Sequence, residues 1–231
     1  LKRFLFFLFS ENSKLINIFV NFDVFFRKLF LFNEALTGKF EYNGLIFYHD
    51  KSDTSVASSL LVNGTYEPEL LKKINTILKN GSTFIDGGAN IGFFSLVAAK
   101  IIGSRGIVIA FEPTPLTLSY LKKNIKMNNI RNIFVSEYGL SSSKKKLPFI
   151  LSSNPEENSV INKSDINSLV SNQVIKINTI SIDEYCINKK ITKVDLIKLD
   201  IEGQELEAIK GAKKTLLANK NIKIIFELNI A

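Results

Sequence analysis

The sequence is poor in the residues from which most metal and hydrolytic centres are built. Its 231 residues include one cysteine, Cys186, and one histidine, His49. A single thiol forms no internal disulfide and assembles neither a four-cysteine zinc site nor an iron–sulfur cluster, so a reducing, cytoplasmic setting is expected. One histidine excludes an HExxH metalloprotease helix and leaves a Ser-His-Asp triad a single candidate base. No metal-ligand set is read from the chain. A long apolar run is missing too, because a bilayer span takes roughly 20 mostly apolar residues. The first apolar stretch is stopped by Ser10-Glu11-Asn12-Ser13-Lys14, and the second carries Asp23, Arg27 and Lys28. With no small-residue cleavage site after the first stretch, a secretory leader is rejected.

What is present suffices for one globular domain plus an extension, with 45% hydrophobic and 23% charged residues. Lys and Arg number 30 against 22 Asp and Glu, a surplus of +8 that favours anionic partners without naming one. Ten of the 19 Phe fall within residues 1–32. At about 100° per residue, Leu15, Ile18, Phe19, Phe22, Phe25, Phe26, Leu29 and Phe30 share one face of a helix and Asn17, Asn21, Asp23, Arg27 and Lys28 lie off it. Residues 1–38 are therefore expected to form an amphipathic helical extension. Its apolar face would pack on the domain or on a second copy in a homodimer, or dock peripherally on the inner face of a membrane.

Residues 39–231 read as the domain proper. From Lys39 to Val62 the text alternates in short stretches, with Phe40-Glu41-Tyr42 and Leu45 to Tyr48 forming a hairpin around Asn43-Gly44. Pro68 opens a helix running to about Leu78. A βα rhythm follows: strand Phe84-Ile85, helix Phe93 to Ile101, strand Ile107 to Phe111, helix Leu116 to Met127, strand Ile133 to Ser136. Residues 139–193 loosen into an irregular insertion whose clearest strand is Val174 to Ile182. The rhythm resumes with strand Asp195 to Leu199, helix Glu205 to Leu217 and strand Ile222 to Glu227. Alternation of this kind predicts an α/β, doubly wound parallel sheet.

The sharpest local signal is Phe84-Ile85-Asp86-Gly87-Gly88-Ala89-Asn90-Ile91-Gly92, a strand running into a glycine turn and a helix. Such a turn brings backbone close to a ligand and offers free N–H groups at the helix start. Its spacing fails the GxGxxG dinucleotide fingerprint, since Asn90 or Ala89 falls where the middle glycine belongs. The next strand ends in Glu112-Pro113, where a carboxylate can accept from both ribose hydroxyls of an adenosine, and Glu137 past the following strand could reach the same ligand. A third strand emerges as Lys198-Leu199-Asp200-Ile201-Glu202-Gly203-Gln204-Glu205, carrying Asp200 and Glu202 to the crevice. Asp195 begins that strand at the opposite edge and is read as structural, and Glu205 as a helix-dipole partner.

These pieces, with Gly64-Thr65-Tyr66-Glu67-Pro68 ahead of them and Ser181-Ile182-Asp183 between them, resemble the FkbM family of S-adenosylmethionine-dependent methyltransferases in wording and order, from about residue 60 to 231. The Asp-x-Gly-x-Asn-x-Gly turn is similar to the first methyltransferase motif, with Asn90 in place of the commoner Gly. The resemblance implies a class I methyltransferase, Rossmann-like fold, S-adenosyl-L-methionine as cofactor, and O-methylation of a sugar, glycan or other small-molecule hydroxyl. Cofactor contacts are then expected from Glu67, Asp86, Gly87, Gly88, Ala89, Asn90, Gly92, Glu112, Pro113 and Glu137. Asp200 is expected as base or acceptor-orienting group, with Glu202 beside it and Glu227 and His49 as weaker candidates. The family's sheet has seven strands; five are counted here, so the last two are expected to be missing and one sheet edge exposed. Two rivals come from other classes: an RNA methyltransferase, and a noncatalytic nucleotide-binding module. RNA is disfavoured because the basic residues cluster in Lys144 to Lys146 rather than interleaving with exposed aromatics, and nothing points to DNA.

Overall fold

A computed structural model describes residues 38–50, 55–151 and 173–227. The extension expected over residues 1–38 lies outside the described residues except for Gly38. A hairpin, β1 (Lys39–Tyr42) and β2 (Leu45–Tyr48), leads into α1 (Ser55–Asn63) and α2 (Pro68–Ile77). Then come β3 (Thr83–Gly87), α3 (Phe93–Ile102), β4 (Ile107–Phe111), α4 (Pro115–Met127) and β5 (Ile133–Ser136). A three-stranded sheet follows, made of β6 (Gly139–Leu140), β7 (Lys145–Leu151) and β8 (Gln173–Ile180) in the order β6-β8-β7. The chain continues through α5 (Ile182–Lys189), β9 (Leu196–Leu199), α6 (Glu205–Lys210), α7 (Lys213–Ala218) and β10 (Lys223–Phe226).

The central sheet has five parallel strands in the order β10-β9-β3-β4-β5. Successive strand residues face opposite sides, so the sheet separates two apolar cores. Phe84, Val108, Ala110 and Leu196 pack with α1 to α4 and the hairpin. Ile85, Ile109, Phe111, Ile197 and Leu199 pack with α5, α6 and Leu140. Both faces are covered, as parallel sheets require.

Three local readings are corrected. Residues 55–63 continue no alternating stretch but form a helix, with Val56, Ala57 and Leu60 buried. The strand read to Ile182 stops at Ile180, because the Ser181 hydroxyl accepts from the Glu184 N–H (3.1 Å) and caps α5. The single helix read over 205–217 is two, and the Asp183 carboxylate accepts from the N–H groups of Lys214 (2.8 Å) and Thr215 (2.7 Å), capping the second from another element.

The hairpin is fastened to α4 by two asparagines one turn apart, Asn124 within the helix and Asn128 at its C-terminal cap. Asn128 accepts from the Ile46 N–H (2.8 Å) and donates to its carbonyl (2.6 Å). Asn124 does the same for Tyr48 (2.7 and 2.9 Å) and also donates to the Ile91 carbonyl in the glycine turn (2.9 Å). Four helical residues rise about 6 Å and two strand residues about 6.6 Å. The amides thus serve the edge of β2 as a neighbouring strand would. Asn124 thereby ties the hairpin to the site loop.

Candidate functional site

Strand order reverses between β3 and β9: the chain steps from β3 outward through β4 and β5, then returns to lay β9 and β10 on the other side. Open parallel sheets bind ligands outside the carboxyl ends of the strands at such a point. A cavity of about 350 Å³ opens there, lined by Gly88, Ala89 and Asn90 after β3, Glu112, Pro113 and Thr114 after β4, and Asp200, Ile201 and Glu202 after β9. Its size falls in the range of small-molecule sites, roughly 300–1,000 Å³. Glu67 and Tyr66 close one side. Leu140, Phe149, Ile177 and Thr179 of the small sheet close another.

Gly88 and Glu112 face one cavity, and their two loops are joined through Asn90. The Asn90 N–H donates to Glu112 Oε2 (2.9 Å) and the Thr114 N–H to Oε1 (2.9 Å). Asn90 holds a positive φ of 51°, and its Oδ1 accepts from the Ile91 N–H (2.7 Å). Burial pushes the Glu112 carboxyl above its ordinary range, and the bonds from Thr114 and Asn90 oppose that shift. The Thr114 side chain bonds the carboxylate as well, and with two acceptor positions on each oxygen the group still has capacity for a ligand. Gly88 has φ +70°, and its missing side chain would run into the Asp200 carbonyl oxygen. The glycine therefore serves the close approach of the two switch-point loops.

Beneath the cavity lies a buried ion pair. Asp86 and Lys198 are register partners on β3 and β9. The Lys198 ammonium is 3.5 Å from Asp86 Oδ1 and 3.2 Å from Asp200 Oδ2, and it sits 5.3 Å from the centre of the Phe94 ring. The Ser95 hydroxyl donates to Asp86 Oδ2 (2.6 Å). Burial pushes the Asp86 carboxyl up, while Lys198 and Ser95 pull it back. Burial alone would lower Lys198, but the carboxylates of Asp86 and Asp200 outweigh it and hold the amine above the ordinary lysine value. Above this floor, oxygens of Asp200, Glu202 and Glu227 lie within 4.8 Å of one another. Burial and the nearby Asp200 raise the Glu227 carboxyl. The Glu205 carboxylate accepts from the Ile201 and Gly203 N–H groups (3.0 and 3.3 Å) and shapes the loop that carries Glu202, itself at φ +51°.

Of the residues singled out in the sequence, Glu67, Gly88, Ala89, Asn90, Glu112, Pro113, Asp200, Glu202 and Glu227 line the cavity. Four do not. Asp86 is fully buried beneath it, because strand register turns its side chain to Lys198. Gly87 is enclosed by Leu140, Leu199 and the Lys198 carbonyl, and Gly92 caps α3 against Leu121 and Leu96. Glu137 is on the surface, paired with Lys122 at 2.5 Å. His49, a weaker candidate for the base, lies outside the cavity, buried beside Phe40 with Nδ1 2.7 Å from the Asp50 carbonyl. Asp195 is structural as read, accepting from the Thr83 N–H (2.8 Å). Lys198 was missed, although a lysine inside Leu196-Ile197-Lys198-Leu199 breaks the apolar run expected of a strand covered on both faces. The wall from β7 and β8 gave no signal, because no local pattern aims Phe149 and Ile177 at the cavity.

An adenosyl group fits these residues. Glu112 retains acceptor positions for a ribose, the cavity has an apolar wall for a base, and acids line the end at Asp200 for a cationic centre.

A sequence profile described as Methyltransferase FkbM domain matches residues 86–229. The chain is similar to methyltransferase sdnD of Sordaria araneosa, 29% identical over 160 residues, covering 58% of this chain and 61% of that protein. It is also similar to hexuronic acid methyltransferase AglP of Haloferax volcanii, 33% identical over 131 residues, covering 57% of this chain and 50% of the relative. The chain thus spans about half to three fifths of the length of these curated relatives. Among solved structures, M. jannaschii TYW2 in complex with AdoMet aligns with 42% of this chain and 41% of its own, at 24% identity and a TM-score of 0.31.

Proposed function

We propose, from the premise that the chain belongs to the FkbM methyltransferase family, that it O-methylates a hydroxyl of a sugar or other small molecule, with Asp200 receiving the hydroxyl proton. The family's methyl donor is S-adenosylmethionine, which supplies an electron-poor methyl on a sulfonium. One observation carries the reading: Gly88, Glu112 and Asp200, from three different strand ends, line a single cavity. The hexuronic acid named for the Haloferax volcanii relative supports a sugar acceptor.

The residues divide the work by position. Glu112, fixed by two backbone N–H groups, offers its remaining lone pairs to the ribose hydroxyls. Tyr66, Phe94 and the wall of Phe149 and Ile177 exclude water. Asp200 stands at the cavity with its Oδ2 held by Lys198, placed to orient a hydroxyl and take its proton as the new oxygen–carbon bond forms. The carbon–sulfur bond pair stays with the departing sulfur. Proximity and alignment supply much of the acceleration, since the methyl is already activated.

Among the described residues no helix is long and apolar enough to cross a membrane. Incubating the full-length protein with S-adenosylmethionine and a panel of hexoses, hexuronic acids, their glycosides and small phenols tests the reading. The expected result is S-adenosylhomocysteine formation with a sugar, and a product one methyl group heavier at an oxygen. Methylation of an RNA in place of every small hydroxyl would overturn it.

A further inference from the structure

We propose that Lys198 is a positioning residue for methyl transfer: its ammonium, buried beneath the cavity, bridges Asp86 and Asp200 and keeps the Asp200 carboxylate charged and aimed at the bound cation. The inference rests on the function proposed above and extends it to a residue outside the reacting groups. Three observations carry it. Lys198 is a charged side chain, 2% exposed, on the covered face of a central strand. Its Nζ lies between the two acids, 3.5 Å from Asp86 and 3.2 Å from Asp200, with the Gly88 carbonyl also at 3.5 Å. It therefore touches both loops of the switch point at once.

An ammonium in that place decides how the acids share protons. Asp200 is faced by Lys198 on its own strand, by Glu227 beyond β10, by Glu67 ahead of α2, and by Asp86 on β3, with Glu202 and Glu205 along its loop. Like charges this close repel, and burial together with Asp200 pushes the Glu227 carboxyl up. Lys198 is the cation among the described residues lining this cavity, and it bonds Asp200 rather than Glu227. It thereby directs any shared proton onto Glu227 and leaves Asp200 free to accept one from substrate. Without Lys198, Asp200 would share a proton with Glu227, and a cationic donor entering the site would have to expel it.

Calorimetric titration of S-adenosylmethionine at about pH 6, in two buffers of different ionisation enthalpy, counts the protons released on binding. Lys198→Met is expected to release at least about 0.3 more protons per bound donor than wild type. Asp86→Asn/Lys198→Met, which strands no buried charge, is expected to do the same. The surface variant Lys122→Met is expected to match wild type. If wild type binds no donor, the proposed function fails. If wild type binds and the Lys198 variants release the wild-type number of protons, the role of Lys198 is overturned alone. Should neither variant fold, the wild-type protein decides: the carboxyl carbon-13 resonance of Asp200, assigned by its loss in Asp200→Asn, must keep the ionised shift at about pH 6 and move little on donor binding, and a protonated shift overturns the proposal.

Discussion

Asp200→Asn is expected to lower methyl-transfer turnover by about 100-fold or more, the range of a lost general base, while S-adenosylmethionine affinity falls by no more than about tenfold, the share owed to the charge lost beside the cationic donor. The substitution keeps the shape of the side chain, and an amide oxygen can still accept from Lys198. The Asp86–Lys198 pair below remains intact, so no charge is left buried alone. What disappears is the capacity to take a proton from the acceptor hydroxyl. Single-turnover rates with the acceptor chosen by the panel, set beside donor affinity, separate the two outcomes. Affinity lost by as much as turnover would make Asp200 a donor-binding residue and remove it as the base.

Gly88→Ala is expected to abolish measurable donor binding, by about 100-fold or more, and to lower thermal stability. Two costs add. The position has φ +70°, which costs a residue with a Cβ roughly 1 kcal/mol. The new methyl would also overlap the Asp200 carbonyl oxygen and press on its carbonyl carbon at 3.0 Å. Backbone cannot swing aside as a long side chain can, so β3 and β9 must part where the ligand is held. Overpacking of this kind costs about 1–3 kcal/mol, and the sum lowers the melting temperature by roughly 4–16 °C. Gly203→Ala separates the two costs, since Gly203 also has a positive φ, of 90°, but nothing lies within 4 Å of the added carbon. It should show the conformational cost alone and leave donor affinity unchanged.

The central strands were legible because their burial on both faces leaves short, nearly unbroken apolar words. Ile107 to Phe111 and Ile133 to Ser136 were placed with their observed bounds. The glycine turn and Glu112 were legible for a related reason: at a strand's carboxyl end the apolar run stops and polar residues begin. α1 was not, since Ser55-Val56-Ala57-Ser58-Ser59 carries no strong apolar period. α5 was hidden because its cap, Ser181, continues the alternation of β8 by one more polar residue. The misplacement of Asp86 has a different origin. An acid at the end of a strand reads as reaching for ligand, but the lateral pairing of β3 with β9 sets it opposite Lys198, and lateral pairing is not written in either strand alone. The same pairing converts Lys198 from an irregularity in an apolar run into the centre of the site floor.

The central claim is that the crevice between β3 and β9 holds an adenosyl sulfonium whose ribose is gripped by Glu112. Calorimetry of S-adenosylmethionine and of NAD on full-length wild type and Glu112→Ala tests it directly. Wild type is expected to bind S-adenosylmethionine at least about 100-fold more tightly than NAD, and Glu112→Ala to lose at least about 30-fold of that affinity, as two hydrogen bonds to a charged acceptor imply. NAD bound as tightly as S-adenosylmethionine, or donor affinity untouched by the loss of Glu112, would contradict it.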